Sequence, residues 1–515
     1  MKAIIVDSCQ WSYPDVHSYQ SGSERGEFVA LKNSQATFQI HVWEAVGDVM
    51  VSVPAEVHSE IFREIAVPVE SCPGLSGNEP NFPERKAPYT VYDCLAPGSL
   101  SVSDSFGAAG FYVSVPTPEA GLCSFLVTVT DSSGQVVSLP VEIEVLPAAL
   151  PEETLDIAIG YSGYTAANKH GVRYLSPEFD ALDTEYLKML RRMHQNRLFV
   201  APPQGEKDGE GRWTFDFSVF NKYVEKALSL GFTGFNIYGL AFRKSWDGPD
   251  IQVRGMDSMS REAYVYLSDF AGALRQNLNS RGWLDGSIFA IGVADEPNEA
   301  DAVTYRALCG VMRRLLPEIS LYDAVTCAPL YGALDIWVPR SDEYMAHREV
   351  FDYYRASGDK LWYYVCLYPR GDGYINRFMD IPLLATRYQF WANYLYSFSG
   401  YLHWTVNDYQ GGGDPFKESC TRHVNAGSES ILPPGDDKLI YPGDNGPWMS
   451  IRLEAQREGT EEYEMLRVIG EKDRTLADSL CQSCLSSFTK AEYSVDLFRQ
   501  THRRILEAYA DAVSD

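Results

Sequence analysis

No apolar run in this 515-residue chain is long enough to cross a bilayer as a helix. The opening stretch MKAIIVDSCQWSYPD has one lysine and too short an apolar segment for a secretory leader. A cytoplasmic location with no membrane partner is therefore expected. Positive charge is scarce: 44 Lys and Arg against 70 Asp and Glu leave a formal net charge of -26. Such a field repels nucleic acid, so none is expected as a partner. The ten cysteines are scattered and read as free thiols rather than as a disulfide framework. The one C-x-x-C, Cys481 to Cys484, has no second pair and no histidine cluster beside it, which argues against zinc or redox chemistry. A G-x-S-x-G elbow, a Walker loop, H-E-x-x-H and a dinucleotide fingerprint are all missing. No metal and no cofactor is implied.

What is present divides the chain into three. Residues 1–150 carry short alternating runs such as ATFQIHVWEAV (36–46), CSFLVTVTD (123–131) and VVSLPVEIEVLP (136–147). Period-two patterns broken by Gly, Ser and Asp predict an antiparallel β-sandwich. The Pro-rich LPAALPEE (146–153) reads as a linker. Residues 151–470 alternate apolar runs with amphipathic ones. Strand-like runs begin at LDIAIGY (155–161), NRLFVAP (196–202), FTGFNIYG (232–239) and SIFAIGVADEP (287–297). They continue at ISLYDAVT (319–326), LDIWVPR (334–340), LWYYVCLYP (361–369) and GYLHWTVNDY (400–409). Eight such runs predict a (β/α)8 TIM barrel, whose strands are buried on both sides. Residues 471–515 read as a helical tail packed on the barrel. Two connections, about 240–258 and 410–448, are too long for plain turns and are expected at the barrel's C-terminal face.

The fourth run ends in two adjacent acids, Asp295 and Glu296, followed by Pro297. One reading is that acids here cap the following helix, which suits Asn298, Glu299 and Asp301. Another is a structural ion pair. The third is catalysis, because strand ends form the active rim of a barrel. Polar and aromatic residues at other strand ends favour a sugar site: Tyr161, His194, Asn196, Tyr238, Trp362, Tyr364, Tyr368, His403, Trp404 and Asn407. Aromatic rings receive the apolar face of a pyranose and polar groups hold its hydroxyls.

Adjacent acids do not fit the usual pair of carboxylates about 5 Å apart across a glycosidic bond. On a strand they point to opposite faces. If the backbone turns at the strand end, both can reach one pocket. That suits hydrolysis assisted by the sugar's own 2-acetamido group, with Asp295 orienting that group and Glu296 acting as acid and base. The alternative is a conventional retaining glycosidase with Asp372 as second carboxylate, or a carbohydrate-binding barrel without turnover.

The stretches VADEPNE (293–299), LWYYVCLYP (361–369), RYQFWANYLYSFSGYLHWTVNDY (387–409) and SIRLEAQREGTEEYEML (450–466) resemble glycoside hydrolase family 123 and its wider relatives. LKNSQATFQIHV (31–42) is similar to the family's first-domain strand. The resemblance implies a sandwich followed by a barrel, and an exo-acting β-N-acetylgalactosaminidase with an oxazoline-type intermediate. It implies Asp295 as the acetamido-orienting residue and Glu296 as the acid/base. It also implies Tyr364, Trp404, His194 and Tyr238 in the pocket, and a structural ion pair of Arg452 and Glu454, with Arg387 in a similar role. An oligosaccharide or glycoside is the expected partner.

Overall fold

Alternation of apolar and polar residues in the first third produces strands with one buried face each. Val136–Ala149, for example, buries Leu139, Val141, Ile143 and Val145 while the residues between them lie outward. The computed structural model describes all residues except 20, 72–84, 247, 410–412, 426–427 and 515. The strands assemble into two sheets. One has five strands, in the order Gly26–Lys32, Val136–Ala149, Gly121–Asp131, Asp48–Ser52, Leu100–Val102. The other has seven and contains Lys2–Asp7, Ser34–Trp43, Ala109–Thr117, Glu60–Val69 and Tyr89–Pro97. Phe38, Ile40, Val42, Val127, Val129 and Ile143 pack together between them. Two features depart from a self-contained antiparallel sandwich. Val136–Ala149 pairs with Gly26–Lys32 in parallel. The last two strands of the larger sheet, Ile440–Gly443 and Gly446–Ser450, come from far along the chain, with Met449 opposite Leu95.

The barrel strands are β1 (Asp156–Ile159), β2 (Arg197–Val200), β3 (Gly234–Ile237), β4 (Phe289–Gly292), β5 (Ser320–Val325), β6 (Ile336–Pro339), β7 (Lys360–Tyr364) and β8 (Gly400–His403). Each pairs in parallel with the next, and β8 closes on β1. Seven fall wholly inside the apolar runs of the sequence, and β7 begins one residue before its run, at Lys360. Alternate residues, among them Ala158, Ala290, Tyr322, Ile336, Trp362 and Leu402, form their own packed cluster inside the barrel. Helices join most successive strands, but β5 runs to β6 without one. Pro329 and the left-handed Gly332 (φ 74°) interrupt that ten-residue link.

The long helix Ile451–Lys472 is buried over most of its surface even though it is rich in charge. Its ions are paired across layers. Arg452 donates to both carboxyl oxygens of Asp93 at 2.9 and 2.8 Å, so its partner belongs to the N-terminal sheet and is not the Glu454 that the sequence suggested. Glu454 accepts from Arg192 at 2.5 Å and Arg457 at 3.0 Å. Arg387 pairs with Glu458 and, at 2.5 Å, with Glu462. The C-terminal helix Val495–Ser514 packs on Ile451–Lys472 and also on Val136–Ala149. Arg503 reaches Glu144 at 2.9 Å and Arg499 binds Asp7, so the tail joins sandwich to barrel rather than resting on the barrel alone. Cys481 and Cys484 are free and buried in the helix Arg474–Cys484. Among the described residues no helix is long and apolar enough to cross a membrane.

Candidate active site

β4 ends at Gly292, and the next four residues make a turn that a strand would not allow. Asp295 and Glu296 both adopt left-handed backbone, with φ 47° and 44°. Non-glycine residues in this region cost on the order of 1 kcal/mol or more each, so the surroundings must hold them. Asp323 on β5 does so. One of its carboxyl oxygens accepts from the Val293 and Ala294 amides at 2.8 and 2.9 Å and from the Tyr305 hydroxyl at 2.7 Å; the other lies 3.4 Å from the Asp295 amide. The Glu296 amide donates to the Ala324 carbonyl at 2.9 Å. Residues that would diverge on a regular strand are thereby turned into one cleft.

The cleft has a volume of about 1040 Å³ and opens at the C-terminal ends of the strands. Tyr238, Tyr364 and Trp404 line it beside the acids, and Tyr368 lies on its wall. Both long connections reach this face, as the sequence predicted. The first forms a three-stranded sheet over 241–257, and the second a hairpin of Arg422–Asn425 with Ser428–Ile431. They clasp each other: Trp246 Nε1 donates to the Asn425 carbonyl at 2.9 Å, and Asn298 Nδ2 donates to the Trp246 carbonyl at 2.5 Å. The Arg243 guanidinium lies over the Trp246 ring, 4.2 Å from its centre.

The Tyr364 hydroxyl donates to Glu296 Oε1 at 2.5 Å. Burial, and then the Glu296 charge, push the phenol well above its ordinary range, so Tyr364 keeps its proton and acts as donor. Asp295 is open to the cleft yet deeply surrounded by protein. Burial raises its carboxyl above the usual carboxylate range, Glu296 and Asp323 raise it further, and Arg243 opposes them. Trp404 is fixed by a 3.0 Å hydrogen bond from Nε1 to Asp436, whose carboxyl burial raises to about 6. His403 lies behind it, 3.3 Å from Asp436 and 2.7 Å from Arg377. Burial and then Arg377 depress its pKa, so the ring is neutral.

Among the residues singled out in the sequence, the cleft brings together Asp295, Glu296, Tyr161, Tyr238, Tyr364, Tyr368 and Trp404. Five others, His194, Asn196, Trp362, His403 and Asn407, lie outside its lining. His194 and Asn196 precede β2, and a residue before a parallel strand sits at the opposite end of the barrel. His194 lies between Glu153 (2.8 Å) and Glu461 (3.1 Å), and Asn196 bonds to the Ile157 amide and the Leu155 carbonyl. Trp362 points into the barrel one layer below Tyr364 and is completely buried. Asn407 bonds to the amide (2.9 Å) and carbonyl (3.0 Å) of Ser162, tying the segment after β8 to the segment after β1. Asp372, the candidate second carboxylate, is exposed and outside the cleft lining. The sequence reading missed Asp323, Arg243, Trp246 and His423. Asp323 had a legible signal, an acid in the middle of the apolar run ISLYDAVT.

Comparison with known proteins adds to this geometry. The family described as glycoside hydrolase 123, catalytic domain, matches residues 161–469. No curated protein matches the chain. Among solved structures, a family 123 glycoside hydrolase from Clostridium perfringens, studied for glycolipid glycan hydrolysis, is similar over 100% of this chain and 98% of its own, with TM-score 0.74 and 14% identity. A family 39 glycoside hydrolase from Bacteroides cellulosilyticus is similar over 84% of this chain and 81% of its own, with TM-score 0.39 and 12% identity. With the family match spanning more than half of its length, the chain belongs to glycoside hydrolase family 123 and is a glycoside hydrolase.

Proposed function

We propose that the protein removes terminal β-linked N-acetylgalactosamine from glycans by a substrate-assisted, retaining reaction. The observation that carries this reading is the pair of successive left-handed residues that turn Asp295 and Glu296 into the same cleft. Carboxylates adjacent in sequence approach a sugar from one side, which leaves the opposite face of the anomeric carbon to a nucleophile within the substrate.

In the first step Glu296 gives its proton to the leaving oxygen as the bond from that oxygen to C1 breaks. The acetamido carbonyl oxygen forms a bond to C1 and gives an oxazoline-type ring. In its ionised form Asp295 accepts a hydrogen bond from the acetamido N–H and stabilises the positive charge that develops there. That charge in turn offsets the burial and the neighbouring acids that raise its carboxyl. In the second step Glu296 takes a proton from water, the water oxygen attacks C1, and the ring reopens with the original configuration. Tyr364 fixes the Glu296 carboxyl, and Trp404 offers a ring face to the sugar. A conventional retaining scheme through Asp372 has less support, since that residue lies outside the cleft lining. The N-terminal sandwich is assigned a structural role, in keeping with the two strands that it takes from residues 440–450.

The test is turnover of 4-nitrophenyl β-N-acetylgalactosaminide, the β-N-acetylglucosaminide and the β-galactoside by wild type, Glu296→Gln and Asp295→Asn. Hydrolysis restricted to acetamido sugars and lost in both variants is expected. Cleavage of the plain galactoside would place the nucleophile on the protein instead.

A further inference from the structure

We propose that Arg243 is a positioning residue for the reaction: it fastens the segment behind the acids to the inserted sheet and sets a positive charge beside Asp295. This rests on the role given to Asp295 above, and it adds to the barrel strands a residue from the connection after β3. Arg243 ends the first strand of the inserted sheet, Ala241–Arg243, and lines the cleft together with Asp295 and Glu296.

The geometry starts from Asp301, an acid that the sequence marks as a helix cap. It does stand at the N-cap of the helix Ala302–Leu315, but its side chain makes no capping hydrogen bond. Oδ1 accepts from the Asn298 amide at 2.9 Å, while Oδ2 is buried and accepts no hydrogen bond from the described residues. The cation beside Oδ2 is Arg243, 3.8 Å away. That spacing is too long for a tight ion pair, because the guanidinium is held elsewhere. Nη1 donates to the Trp246 carbonyl at 3.3 Å, and the group stacks 4.2 Å from the centre of the Trp246 ring. Asn298 Nδ2 donates to the same carbonyl at 2.5 Å. The inserted sheet and the segment that follows Glu296 are thus joined at one carbonyl and one carboxyl. An almost completely buried guanidinium is costly unless anions compensate it, and a loosely placed Asp301 does so only in part.

Asp295 supplies the rest of the reason. The groups that face it are Glu296 on its own turn, Asp323 and the Tyr322 phenol on β5, and Arg243 on the inserted sheet. Burial, then Glu296 and Asp323, raise the Asp295 carboxyl, and Arg243 is the group that opposes them. Burial also pushes Asp323 up to about 6, against hydrogen bonds from Tyr305 and the turn amides. The Tyr322 phenol is held well above its ordinary range and is uncharged, as is the Cys327 thiol near Arg243, which burial raises to about 11. Arg243 is therefore the positive charge set against this group of acids. A carboxylate that must stabilise a developing cation has to be ionised before the sugar arrives, and a fixed guanidinium keeps it so without reorganisation.

The experiment measures kcat/KM for 4-nitrophenyl β-N-acetylgalactosaminide against pH for wild type, Arg243→Lys, Arg243→Met and the double variant Arg243→Met with Asp301→Asn. The acid limb of the profile reports Asp295 taking up a proton in the free enzyme, and loss of the cation lets it do so at higher pH. Arg243→Met is expected to move that limb up by about one pH unit or more. Arg243→Lys keeps the charge and should return the limb most of the way to the wild-type position. The double variant removes the buried Asp301 charge that the single variant leaves without a cation. It therefore guards against misfolding, and it should show the same upward shift. A profile lowered in equal proportion at every pH in both methionine variants would overturn the proposal, leaving Arg243 as a structural clasp. So would a lysine variant whose limb coincides with that of Arg243→Met. Failure of the wild type on this substrate, or an Asp295→Asn variant as active as wild type, would instead overturn the assignment of Asp295, and the role of Arg243 with it.

Discussion

The Tyr364 hydroxyl, at the end of β7, donates to Glu296 Oε1 across the barrel mouth at 2.5 Å. The bond links residues 68 apart in sequence and fixes one oxygen of the proposed acid. Tyr364→Phe removes the donor and preserves the ring. We expect kcat to fall by about 10- to 100-fold with a much smaller change in KM, the pattern for a group that matters to proton transfer more than to ground-state binding. Steady-state kinetics on an aryl glycoside checks this; a change confined to KM would assign Tyr364 to binding alone.

Asp323 has a different task, since its carboxyl faces the backbone of the turn. Asp323→Asn keeps the shape but replaces one accepting oxygen with an amide group that cannot accept from the Val293 and Ala294 amides. Unfolding free energy is expected to drop by about 1–3 kcal/mol, the cost of buried donors left unpaired. The catalytic cost should be larger. A displacement of about 1 Å at the acids is enough for about a 100-fold loss in kcat. Urea unfolding followed by kinetics at a temperature where the variant is folded separates the two effects.

The barrel was legible because its strands are continuous apolar runs and such runs have few other homes. The acids were legible because ionisable groups at the end of a buried run demand an explanation. The turn that makes them useful was not. Nothing in ADEP announces two successive left-handed residues, because their support comes from Asp323, about thirty positions later and on another strand. His194 and Asn196 were misplaced because proximity to a strand in sequence does not say which end of the barrel is meant. Trp362 and Tyr364 are two residues apart on one face, and only the depth of the packed layer distinguishes a core ring from a cleft ring.

The contact of Arg452 with Asp93 joins sandwich to barrel through two hydrogen bonds at full burial, and three carbonyls, of Arg377, Gly435 and Lys438, accept its other protons. Arg452→Met leaves Asp93 charged, buried and without its cation. A loss of about 3–5 kcal/mol is expected, as for breaking a buried pair from one side. Adding Asp93→Asn should recover part of it, so that the double variant is more stable than the sum of the singles predicts. Chemical denaturation of the four proteins measures the coupling, and strict additivity would refute the pairing.

His194, although remote from the cleft, makes the stability of the chain depend on pH. Its ring lies between Glu153 and Glu461. Burial favours the neutral ring, but hydrogen bonds to the two carboxylates, with their charges, outweigh it and raise the pKa from 6.5 to about 9. The folded value exceeds the unfolded one, so this contribution is complete below about pH 6.5 and disappears as pH rises through about 9. Glu461 behaves in the opposite sense. Burial would raise it, but Arg457 and His194 hold it at about 2, so its contribution is present above about pH 4.5 and is lost as pH falls towards 2. Between pH 6.5 and 9 the wild type should therefore lose on the order of 2–3 kcal/mol more than His194→Gln, which has no proton to release there. Urea titrations at intervals across that range test it; parallel stability curves for the two proteins would mean that His194 is neutral in the folded state and that the carboxylates on either side do not hold its proton.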